Sequence, residues 1–117
     1  MNILCTDDQE IGETEATAFT MLQQGPVDAL VTLYNAGTNT INYVFEELID
    51  GVWTDLDVLG TDVNTTLVAG QSRAFKVESD YSQVRMVADA SGGSLLNFGV
   101  LRWVDRASGG QLPILSF

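Results

Sequence analysis

Six carboxylates fall close together in the chain: Glu46, Glu47, Asp50, Asp55, Asp57 and Asp62. Carboxylate oxygens held at short range are hard ligands suited to Ca²⁺, and a turn at Asp50-Gly51 could add a backbone carbonyl. The spacing does not match an EF-hand loop, which alternates Asp or Asn, places Gly sixth and closes on Glu at the twelfth position. A carboxylate pair could also act as acid and base in glycoside hydrolysis, but that chemistry sets the two across a cleft at a defined separation. Side chains crowded onto one short hairpin do not supply such a cleft. The plainer reading of the group is a solvated outer face, and no metal, cofactor or enzymatic activity is expected from it.

The other reactive types are sparse. The chain has no histidine, which removes the side chain that titrates nearest neutrality and with it most triads, most zinc sites and the common general bases. Cys5 is the single cysteine, so no internal disulfide or cysteine-based metal cluster can form, and no histidine can activate it as a nucleophile. Trp53 and Trp103 could stack on sugar rings from the face of a sheet; with Tyr34, Tyr43, Phe45, Phe75 and Phe98 they also suit a core or an interface. Asn64-Thr65-Thr66 has the form of a glycosylation acceptor, which has meaning only in a secreted chain. Residues 1–5 carry no positive n-region and no apolar stretch follows, so neither a secretory signal nor a transmembrane span is expected.

The elements that must position these groups are strands. From residue 27 onward the hydrophobic period is two, the spacing of a strand with one buried side. Val27, Ala29, Val31 and Leu33 share one face, then Asn35-Ala36-Gly37-Thr38 supplies turn chemistry, and Ile41, Tyr43 and Phe45 form the next apolar row. Asp50-Gly51 predicts a hairpin with a primed turn, bringing Val52–Leu56 back beside its predecessor. Further strands are expected over Val63–Val68, Ala74–Glu78 and the row Val84, Met86, Ala88, and a long one over Leu95–Trp103. The last is apolar on both faces, so part of its outer face should be covered. Turn signals every 8–12 residues without a helical stretch predict an antiparallel β-sandwich, jelly-roll or immunoglobulin-like, of about seven or eight strands.

The apolar share is 45%, enough for one domain of this length to bury roughly two-thirds of its unfolded surface. Within the single domain 1–117, residues 1–15 are acidic and read as an extended, solvated N-terminal arm, 16–105 as the sandwich with a first strand at Ala16–Leu22, and 106–117 as a C-terminal arm or edge strand. The tail joins a Ser-Gly-Gly link to an apolar tip of Leu112, Ile114, Leu115 and Phe117, which would cost up to about 1.5–3 kcal/mol per side chain left in water. It must dock, either as an edge strand of its own sandwich or as an arm on a neighbouring subunit; Gly109-Gly110 and Pro113 suit the arm. The residues expected at a partner interface are Leu101, Trp103, Arg106, Leu112, Ile114, Leu115 and Phe117.

Charge narrows the partners. The formal charge is −11, with 12 acids and no base over residues 1–72 against 4 acids and all 5 bases over 73–117. Phosphate backbones and anionic lipid heads would repel such a surface, so direct nucleic-acid or membrane binding is not expected. The segregation predicts that solvent meets the first half and a partner the second.

Leu33-Tyr34-Asn35-Ala36-Gly37-Thr38-Asn39-Thr40-Ile41-Asn42-Tyr43, leading to Asp50-Gly51-Val52-Trp53-Thr54-Asp55-Leu56, resembles small β-sandwich proteins of tailed-phage virions. Val68-Ala69-Gly70-Gln71-Ser72 and Tyr81-Ser82-Gln83-Val84-Arg85-Met86-Val87-Ala88 are similar to the same pattern, and the resemblance spans roughly residues 27–104. It rests on strand-and-turn grammar. What it implies is a capsid decoration or cement protein, often trimeric, that binds the major capsid protein on the outer surface of a head after assembly in the host cytoplasm, with no active site. The competing expectations are a carbohydrate-binding β-sandwich module, with or without Ca²⁺, and a phage tail or neck component.

Overall fold

The computed structural model describes residues 7–56 and 65–102 together with the backbone of Ile114–Leu115. The strands in chain order are β1 (Asp7–Ile11), β2 (Ala16–Leu22), β3 (Asp28–Asn35), β4 (Ile41–Ile49), β5 (Val52–Asp55), β6 (Thr66–Leu67), β7 (Ser72–Glu78), β8 (Gln83–Asp89), β9 (Ser94–Arg102) and β10 (Ile114–Leu115). Among the described residues there is no helix, hence none long and apolar enough to cross a membrane.

The strands form two antiparallel five-stranded sheets. The first runs β1-β9-β3-β7, with β10 continuing the β9 edge beyond β1; the second runs β2-β8-β4-β5, with β6 continuing the β4 edge beyond β5. Successive strands thus pass from one sheet to the other: β1 and β2 divide between them, as do β3 and β4, and β7 and β8, while β8 and β9 return the chain to the first sheet. The sandwich expected from the period-two pattern is therefore a jelly roll in its strand order, the double Greek-key alternative of the two expected.

The inward rows meet as the alternation requires. Val31, Leu33, Ile41, Phe45, Leu67, Val77, Val84, Met86 and Leu96 are buried between the sheets. Phe45 of the second sheet sets its ring edge against Phe75 of the first, 5.5 Å between centroids at 90°. Phe19 closes the same cluster by stacking on Phe98 at 4.3 Å. A register shift between Thr17 and Phe19 bends β2 at this point, the effect of a bulge near a sheet edge.

One end of the sandwich is tied by a buried amide. Asn35, the last residue of β3, is fully buried, and its side chain uses all four of its hydrogen-bonding positions. Nδ2 donates to the carbonyls of Asn39 (2.7 Å) and Leu67 (2.8 Å), while Oδ1 accepts from Gly37 N (3.0 Å) and from the Ser94 hydroxyl (2.7 Å). The Asn35 backbone also pairs with Gln71 and Gly70. The β3–β4 and β6–β7 connections, the end of β6 and the start of β9 are thereby fixed to one residue.

Three expectations change. Asp7–Ile11, within the segment expected to be a solvated acidic arm, pairs antiparallel with β9, from Asp7 opposite Phe98 to Ile11 opposite Ser94. Its acids are exposed but Ile11 enters the core, so one apolar residue and the ladder hold the strand where no alternation marks it. Of the strand expected over Val63–Val68, the two residues Thr66 and Leu67 are paired; positions 63 and 64 lie outside the described residues. The expected division into an acidic solvent half and a basic partner half also gives way, because wrapping places β8 between β2 and β4, and β9 between β1 and β3. The halves of the sequence are interleaved in space and make no separate faces.

Candidate functional site

Arg73, Lys76 and Arg85, the second-half bases whose side chains are described, each reach a first-half acceptor. Arg73 donates from Nη1 to the Tyr43 hydroxyl at 2.7 Å. Lys76 bridges Glu78 at 2.9 Å and Asp28 at 3.6 Å. The hydrogen bond to Glu78 holds the Lys76 ammonium above its usual value against an opposing cost of desolvation, with the Asp28 carboxylate adding to the rise.

Arg85 joins several strands at once. Strand register places Glu46 opposite both Arg85 and Asp55, and Leu48 opposite Trp53. Because Tyr43 and Phe45 point into the core, Val44, Glu46 and Leu48 lie on the outer face of the second sheet. There the Arg85 guanidinium donates from Nε and Nη2 to Glu46 Oε1, each at 2.8 Å, and from Nη1 to Thr17 Oγ1 at 3.2 Å. Its carbon sits 4.3 Å from the centroid of the Trp53 ring, within cation–π range. One planar cation thus ties β2, β4 and β5 across β8, with its charge over the indole ring. Leu22, opposite Gln83 on the same face, is 68% exposed.

At the end of the sandwich where β3 begins and β7 stops, an open cleft of about 410 Å³ is lined by Asp28, Glu47, Leu56, Glu78, Ser79 and Asp80 among others. The Ser79 hydroxyl donates to Glu47 Oε1 at 2.8 Å and accepts from Tyr81 N at 3.0 Å, which fixes the carboxylate and the β7–β8 turn. A second cleft of about 610 Å³ lies at the other end, beside Gly12, Gly37 and Gly93.

The structure keeps Glu46 and Asp55 as cross-strand neighbours on one face and parts the rest of the described acidic group. Glu46 faces out to Arg85, its neighbour Glu47 faces the cleft and Ser79, and Asp50 sits in the turn. Asp57 and Asp62 lie outside the described residues. Among the described residues no three acidic, histidine or cysteine side chains are grouped so as to hold a metal ion. Asp50 and Gly51 have φ of 50° and 80°, the positive pair that a primed hairpin turn requires.

Of the expected interface residues, Leu101 lies on the outer face of the first sheet, half-buried, opposite Leu30 of β3. Ile114 and Leu115 pair antiparallel with Arg102 and Leu101 of the same chain, the edge-strand alternative for the tail. Trp103, Arg106, Leu112 and Phe117 lie outside the described residues, as do Cys5 and Asn64. Two residues stand out that the sequence pattern did not single out, Arg85 and Asn35. A lone Arg in an outward row opposite a Glu row is a usable signal for the first, and Asn directly before a Gly-containing turn for the second, though register alone shows their partners.

Comparison with protein-family models, curated proteins and solved structures finds no match to this chain.

Proposed function

We propose that this jelly-roll protein is a non-enzymatic structural component of a virion, a capsid decoration or cement protein that binds the outer lattice of a tailed-phage head as a homo-oligomer, a trimer by the resemblance. The observation that carries the reading is the strand order β1-β9-β3-β7 against β2-β8-β4-β5. Capsid domains and lectins both use the jelly roll, and a fold by itself does not assign function. The phage-virion resemblance along Leu33–Leu56 favours the capsid over the sugar. Such a protein stabilises a lattice by mass action, since it binds the assembled form and not the disassembled one, and its net charge of −11 favours solubility of the free protein before it meets the head.

The test is to add purified protein to heads assembled without it. Saturable binding, with a rise in the temperature at which heads disrupt, is the expected result. Binding to tails but not heads would move the assignment to a tail or neck component.

A carbohydrate-binding module is the second reading, favoured by Trp53 lying on an outer sheet face beside Arg85 and Glu46. Glycan-array binding that disappears in Trp53→Ala would select it.

A further inference from the structure

The outer face of β2-β8-β4-β5 has three properties that together describe a contact surface. The first is apolar exposure that folding does not relieve: Leu22 is 68% exposed, and Leu48 and Trp53 are half-buried in the same transverse row. The second is rigidity. Arg85 is held by Glu46, Thr17 and the Trp53 ring at once, so neither long side chain must be immobilised when something docks, which removes part of the usual entropic cost. Arg and Trp are also the types that concentrate binding energy at interface centres.

The third property is charge. Glu46 neutralises Arg85 at the centre, whereas Asp55 and Asp89, on the same face, are in no salt bridge among the described residues. The Asp89 carboxylate accepts only a neutral amide, from Asn42 at 3.0 Å. The face is thus a neutral, partly apolar centre with an anionic rim. A second copy of a chain of charge −11 would set like charge against that rim, a juxtaposition that disfavours association.

We propose that this face, centred on Trp53 and Arg85, is the docking surface for a partner protein presenting an apolar patch ringed by lysine and arginine. Resting on the decoration reading, this deepens it: the side of the sandwich turned to the head lattice is the outer face of the second sheet. The carboxy-terminal residues expected at the interface are then not its centre.

The probe is tailed-phage heads assembled without the protein, titrated with wild type and with Trp53→Ala, Leu22→Asp, Asp55→Lys with Asp89→Lys, and Tyr34→Ala as a variant on the outer face of the other sheet. Each variant is first checked for cooperative unfolding. Trp53→Ala and Leu22→Asp should weaken binding by about 10- to 100-fold, as expected for truncated anchors. The double reversal should slow association and flatten its dependence on salt, and Tyr34→Ala should bind as wild type does. If wild type binds heads while the Trp53 and Leu22 variants bind equally well, the face assignment is overturned and the decoration reading stands. If wild type does not bind heads, the decoration reading falls and this inference falls with it. Trp53-dependent binding on a glycan array, or a multimer in solution that Leu22→Asp dissociates, would give the face to a sugar or to a second copy and overturn the basic protein partner.

Discussion

The Oδ1 of Asn35 accepts the Ser94 hydroxyl at 2.7 Å from a residue 59 positions away, joining the end of β3 to the start of β9 at a fully buried amide. The same oxygen takes Gly37 N, and the amide nitrogen serves two carbonyls. Asn35→Ala leaves those carbonyls and the Ser94 hydroxyl without their partner. At a net loss of about 1 kcal/mol for each of the four hydrogen bonds, the expected destabilisation is about 4 kcal/mol, read from the urea midpoint. Ser94→Ala, which removes one bond and leaves Asn35 with three, should cost about 1 kcal/mol. Asn35→Asp keeps the acceptor but faces two carbonyls with a carboxylate. Its carboxyl pKa would be raised in the folded state, so its deficit should narrow as pH falls toward about 4.

Gly37 is required by contact rather than by backbone conformation. A Cβ there would strike the Ser94 hydroxyl and lie 2.5 Å from the backbone nitrogen of Leu95. The second obstacle is main chain of β9 and cannot rotate away. Gly37→Ala should therefore cost about 1–3 kcal/mol, the range for overpacking a well-filled site, and combining it with Ser94→Ala should restore little of that. Full rescue in the double variant, by thermal unfolding, would show that the hydroxyl alone was in the way.

Strands β3, β4, β7 and β8 are legible because each alternates and one face is buried, so Phe45, Phe75 and Met86 declare their side, while β5 is legible from the Asp50-Gly51 turn before it. β1 is not, since Asp7, Asp8 and Glu10 carry no alternation and the strand exists by closing on β9, more than eighty residues later. The charge polarity misled for a related reason. Arg85 is far from Glu46 and Thr17 in sequence, 39 and 68 positions, and a jelly roll brings exactly such distant strands side by side. Composition reports how many bases follow residue 72 but not which acids they meet. The candidate face is half-visible: the sequence offers Trp53 either as a sheet-face aromatic or as a core or interface filler, and the cation stacked on it is not legible there.

Arg85→Lys tests that cluster. An ammonium is a point charge without the planar fork that reaches Glu46 from Nε and Nη2 and Thr17 from Nη1, and it does not stack. One ion pair would persist, while the contact to Thr17 and the overlap with Trp53 would go. The near-UV circular dichroism and fluorescence of the indole should change, with a stability loss of about 1 kcal/mol for a partly exposed hydrogen-bonded pair. Glu46→Gln should leave the indole signal closer to wild type, because the guanidinium keeps Thr17 and the ring. An unchanged indole signal in Arg85→Lys would mean that the stack does not order Trp53.

Lys76 gives the protein an alkaline dependence. Its ammonium is favoured in the folded state by the hydrogen bond to Glu78 and by the nearby Asp28 carboxylate, so its folded pKa lies above the unfolded 10.5. A raised pKa means that the folded chain holds the proton more tightly. The contribution is then complete below about pH 10.5 and is lost as pH rises through the folded value. Lys76→Gln should be less stable than wild type at neutral pH, and the gap should close in urea titrations carried above pH 10.5. Added salt should narrow the neutral-pH gap as well, since the pair is solvent-exposed and screened. A gap that persisted unchanged across both series would assign the loss to the aliphatic stem of Lys76 packing on the sheet rather than to its charge.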